Sequence, residues 1–120
     1  MSATDLDQIC IQVQLSRAPG LDAARLGAVS ETIARRTGGC RGFEMAQGDD
    51  DGAYLNLLFA TESLRETWHG LREELLGSDE FGEALRTACI CVCTGSEGWD
   101  DYLLLHHFDP DEPLVDLADH

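Results

Sequence analysis

The hydrophobic residues of this chain recur with two different periods, and the order of those periods constrains the fold more than any other feature. In residues 8–15, Ile9, Ile11, Val13 and Leu15 alternate with Cys10, Gln12 and Gln14. Period-two alternation with β-branched residues predicts a half-buried strand. Pro19-Gly20 then breaks the chain. From about Leu21 to Arg36 the period becomes helical, with Leu26, Val29 and Ile33 as the buried stripe. Arg35 and Arg36 suit the negative end of that helix dipole, and Gly38-Gly39 can close it.

The alternation returns in residues 42–47 and 53–60, around Phe43 and Met45 and then Leu55, Leu57 and Phe59. Gly48-Asp49-Asp50-Asp51-Gly52 lies between, so a hairpin is expected, with Asp-Gly as a favoured turn pair. Thr61 is the expected cap of a second helix with Leu64, Trp68, Leu71 and Leu75 on its inner stripe. Gly77 stops it. Ser78 can cap a further short helix that buries Phe81 and Leu85. Ala88 to Thr94 is the next strand, with Ile90 and Val92 expected on the core side and Cys89, Cys91 and Cys93 on the other. Trp99 to Phe108 is expected to be an extra strand or a docked extended segment, with Pro110 and Pro113 opposing any helix beyond it.

The resulting α+β order, βαββαβ, resembles the ferredoxin-like split βαβ sandwich. Residues 1–95 would form that core, and residues 96–120 an acidic C-terminal appendage packed on it, its last residues frayed. The resemblance implies an antiparallel sheet with both helices on one face. It also implies that small domains of this kind often pair through the open face into dimeric α+β barrels. The predicted open face carries Cys10, Gln12, Gln14, Tyr54, Asn56, Leu58 and the three cysteines of residues 89–93. Because free cysteine is commonly buried, that face calls for a cover, either the Trp99–Phe108 segment or a second copy.

Charge narrows the partners. All eight basic residues are arginines, set against 23 acids, for a net charge of −15. Residues 1–48 are balanced, so the whole excess lies in residues 49–120, and no arginine follows Gly95. Such a field repels nucleic acid and anionic membranes and attracts basic proteins. There is no run of apolar residues long enough to span a bilayer, and the acidic start is unlike a secretory signal. Five cysteines in that setting point to free thiols in a reducing, cytoplasmic compartment.

No catalytic, cofactor or metal site is expected. No nucleophile elbow, zinc-protease motif, phosphate loop or dinucleotide fingerprint occurs. The cysteine triplet lacks Cys-x-x-Cys spacing and reads as packing. His106, His107, Asp109 and Asp111 read as a polar strand end, the Asp49–Gly52 run as a turn rather than a calcium loop, and His69 as a helix-surface residue. Trp99, Asp100, Asp101 and Tyr102, with Asp109, Asp111 and Glu112, have the composition of a protein-binding surface. The leading expectation is a non-enzymatic acidic interaction module, such as an immunity or inhibitor protein that binds a basic partner. The alternative is a small dimeric α+β barrel, an enzyme or ligand-binding protein that uses Gln12, Tyr54 and Asn56.

Overall fold

The computed structural model describes residues 6–49, 52–95, 97–115 and 117. Asp50 and Asp51 of the expected turn, and the tail beyond Leu117, lie outside the described residues. The elements are β1 (Asp7–Gln14), a 3-10 turn (Leu15–Arg17), α1 (Ala23–Arg36), β2 (Cys40–Gly48), β3 (Tyr54–Thr61), α2 (Leu64–Glu74), α3 (Gly82–Ala88), β4 (Cys89–Gly95) and β5 (Gly98–His106). The five strands form one antiparallel sheet in the order β2-β3-β1-β4-β5. No helix among the described residues is long and apolar enough to cross a membrane.

Ile9, Ile11, Val13, Leu55, Leu57 and Phe59 are fully buried on one sheet face, as their alternation predicts. Leu26 and Ile33 of α1, Trp68 and Leu71 of α2, and Leu85 of α3 close over them in one core cluster. Asp22 caps α1 by accepting a hydrogen bond from Arg25 N. The expected cap of α2, Thr61, is instead the last residue of β3. Ser63 is the cap, accepting from Glu66 N. Thr61 is fully buried, and its Oγ1 lies 2.9 Å from Ser63 N, 2.7 Å from Thr67 Oγ1 and 3.0 Å from Gly39 O. That node ties β3 to α2 and to the turn after α1.

The facing of β4 is the reverse of the sequence expectation. Val13 pairs with Cys89, Ile11 with Cys91 and Ile9 with Cys93. The thiols therefore share the core side with the β1 isoleucines and are fully buried. Ile90 and Val92 lie opposite Gln12 and Cys10 and point to the open side, where both are half-buried. Alternation fixes that two faces exist but not which one meets the helices; a one-residue slip exchanges them. The register against β1 decides, and the α3–β4 junction accommodates it. Ala88 is buried at the end of α3, and Cys89 N donates back to Leu85 O, which turns Cys89 inward.

The Trp99–Phe108 segment does not fold over the open face. It extends the sheet as β5. Beyond it, Val115 N donates to Leu104 O at 2.8 Å, and Leu117 enters the core edge with its carbonyl accepting from Arg65 Nε. The Arg17 guanidinium sits 3.7 Å from the Phe108 ring centroid, a cation–π contact that pins this segment to the 3-10 turn.

Candidate functional site

The open face of the three central strands is built by alternation. β1 contributes Gln8, Cys10, Gln12 and Gln14. β3 contributes Tyr54, Asn56, Leu58 and Ala60, and β4 contributes Ile90 and Val92. None of these residues is charged, in a chain that is 26% Asp, Glu and Arg. With Ile90 and Val92 turned outward, the face is more apolar than its sequence reading.

A groove of about 550 Å³ opens at the β4–β5 side of this face. Cys10, Ile90, Val92 and Leu104 form its floor, and Gln12, Trp99, Tyr102, His107 and Glu112 its walls. Trp99 and Tyr102 are three residues apart, a spacing that puts them on opposite faces of a regular strand. Here a bulge unites them. Cys93 pairs with Leu103 and Gly95 with Gly98, so residues 99–102 stand opposite Thr94 alone. The bulge needs glycine at position 95, where a Cβ would fall 1.8 Å from the Asp101 carbonyl oxygen. Trp99 stays 42% exposed and Tyr102 59%, so both rings are free to contact a ligand.

The structure thus joins parts of two sequence-predicted sets. Gln12, from the ligand set, meets Trp99, Tyr102 and Glu112, from the partner set, in one groove. Asn56 stands directly across from Gln12, and its Oδ1 is buried without a hydrogen-bond partner. Tyr54 is on the same face but lies against Gly48 of β2, where a Cβ would be 2.1 Å from its ring, so it does not line the groove. Asp100 and Asp101 are exposed on β5 outside it. Asp109 and Asp111 shape the following turn: Asp111 N donates to Asp109 Oδ1 at 3.0 Å, and Asp109 N donates to His107 Nδ1 at 2.9 Å. Because Nδ1 accepts that bond, neutral His107 carries its proton on Nε2 as a donor.

The other candidates separate. His106 Nε2 lies 3.0 Å from Arg86 O, whereas His107 lines the groove, so the two imidazoles do not converge. No group of three or more potential metal ligands occurs among the described residues. His69 is an exposed residue of α2, 3.5 Å from Glu73. Cys89 and Cys91 Sγ atoms are 3.7 Å apart in the core. Burial pushes the Cys10 and Cys93 thiols up to about 11, with Asp7 adding to the Cys93 shift, and it raises Cys91 strongly. These thiols are therefore held neutral and unreactive.

Sequence reasoning missed Ile90, Val92 and Leu104 as groove residues. Their signal, a period-two apolar strand, was present but ambiguous in sign. The chain matches no known family model, and no curated protein or solved structure is significantly similar to it.

Proposed function

We propose that the chain is a ferredoxin-like βαββαβ sandwich extended by a fifth strand, and that it acts as a homodimeric α+β barrel whose open sheet faces enclose a small ligand. The antiparallel β2-β3-β1-β4 order supports the fold assignment. The observation that carries the functional reading is the uncharged open face of the three central strands. A solvated sheet on so acidic a chain would carry carboxylates, as β5 and the turn after it do. A face of Cys10, Leu58, Ile90 and Val92 with neutral amides can instead meet a second copy with no charge at its centre, the carboxylates of Glu44 and Glu112 lying at its edges. The five cysteines, all free thiols, support a reducing, cytoplasmic compartment.

Sedimentation equilibrium tests this reading. A dimer is expected, and because both copies are strongly acidic, added salt should tighten it by screening their repulsion. Leu58→Glu, on the open face but outside the groove, should give a folded monomer. A wild-type monomer at every salt concentration, or a Leu58→Glu variant that stays dimeric, would refute the barrel.

A second reading is favoured by the exposure of Trp99, Asp100, Asp101 and Tyr102 together on β5. It makes the chain a non-enzymatic acidic interaction module, an immunity or inhibitor protein for a basic partner. Salt would then weaken the complex, the opposite sign from the dimer. Trp99→Ala would abolish capture of that partner.

A further inference from the structure

We propose that the β4–β5 groove binds an organic ammonium ion, its cationic head held by Trp99, Tyr102 and the Glu112 carboxylate and its apolar body resting on Ile90, Val92 and Leu104. This inference rests on the reading of the open face as a ligand site and names the class of ligand.

Three features of the lining point the same way. The first is aromatic. Two largely exposed rings, Trp99 and Tyr102, border one groove, and aromatic faces attract cations through their quadrupoles. The second is the sign of charge. Among the described residues Glu112 is the one carboxylate in the lining, and neither lysine nor arginine accompanies it. The chain has no lysine at all and no arginine after Arg86. An anionic ligand would meet an uncompensated repulsive field. The third is desolvation. When a second copy closes the face, Glu112 loses water, and a carboxylate without a countercharge in such a place is costly. A neutral ligand leaves that cost in place, whereas an ammonium offsets it. Gln12 and the Nε2–H of His107 add neutral hydrogen-bonding groups beside the apolar floor. They suit a hydroxyl or amide on the body of the ligand.

The test uses three probes with one phenyl body and different heads: benzyltrimethylammonium, benzyl alcohol and phenylacetate. Binding is followed by isothermal titration calorimetry, which needs no tryptophan reporter and so also reads the Trp99→Ala variant. Saturable binding of the cation, about tenfold tighter than the alcohol and with no binding of the anion, is expected. Trp99→Ala should remove binding, and Glu112→Gln should weaken it about tenfold; both positions are exposed, so circular dichroism should show an unchanged fold. Equal binding of the alcohol would overturn the proposal. So would binding of the cation that ignores both substitutions, since that is diffuse attraction to an acidic chain, and so would failure of all three probes. Sedimentation of the same samples separates the two readings. A dimer that ignores the cation overturns the ligand class alone, whereas a monomer overturns the barrel on which the closed groove depends.

Discussion

Placing one carboxylate on each side of β4 distinguishes its two faces. Cys91 is fully buried opposite Ile11, and Val92 is half-buried on the open side. In Cys91→Asp the new carboxyl has no solvent, and the one basic residue paired with position 91 across β5, His106, has its Nε2 engaged 3.0 Å from Arg86 O. An aspartate titrates near 3.9 when unfolded, and full burial raises that by about 3–5 units. At pH 7 the folded protein must hold the group protonated, roughly three units above its unfolded value, at about 4 kcal/mol. Lost thiol packing adds about 1 kcal/mol. A domain of this length has roughly 6–18 kcal/mol in total, so Cys91→Asp should remove a large share of it. The sign with pH follows. The folded pKa is raised, so the electrostatic penalty is absent below about pH 4 and grows as pH rises toward the folded value. Urea denaturation followed by circular dichroism at pH 4.5 and pH 7 measures both terms. Val92→Asp should cost less than about 1 kcal/mol in the monomer's own fold and act on association instead. A Val92→Asp loss that exceeds that of Cys91→Asp, and does not change with protein concentration, would refute the assigned facing of β4.

Thiol titration with an aromatic disulfide reagent should find one fast thiol, Cys40, and five after denaturation, since Cys40 is half-buried and the other four are buried. The Cys10 and Cys93 thiols are raised to about 11 in the folded state, so the stability they contribute is complete below about pH 9. It should fall as pH rises from there through about 11, as urea midpoints across that range would show. Thr61→Val removes the hydroxyl that links Ser63 N, Thr67 Oγ1 and Gly39 O. A loss of about 2–3 kcal/mol is expected by urea denaturation, and it should be non-additive with Thr67→Val. Ser63→Ala removes the cap of α2 and should cost about 1 kcal/mol in the same assay.

The elements themselves were legible because each is specified locally. Ile9, Ile11 and Val13 alternate around polar residues, so β1 and its buried face follow from pleat geometry alone. Leu26 and Ile33, and Trp68, Leu71 and Leu75, sit at helical spacing, so α1 and α2 follow from their period. The cap of α2 was also readable, since Ser63-Leu-Arg-Glu66 has the capping-box spacing.

The facing of β4 needed tertiary structure. Isoleucine, valine and cysteine are all commonly buried, so Cys89-Ile-Cys-Val-Cys93 satisfies either orientation. The register against β1 chooses between them, and long-range pairing sets that register. The groove depends on similar non-local facts. Trp99 and Tyr102 meet only because β5 bulges opposite Thr94, and that bulge exists because Gly95 admits the Asp101 backbone. His107 and Glu112 reach the same groove through a turn anchored by Arg17, about ninety residues earlier in the chain. Composition and period thus determined the acidic, free-thiol α+β chain and the order of its strands and helices, since those properties belong to single residues and their near neighbours. Which side of β4 is the core, and which residues share a surface, depend on contacts between distant segments that no local pattern encodes.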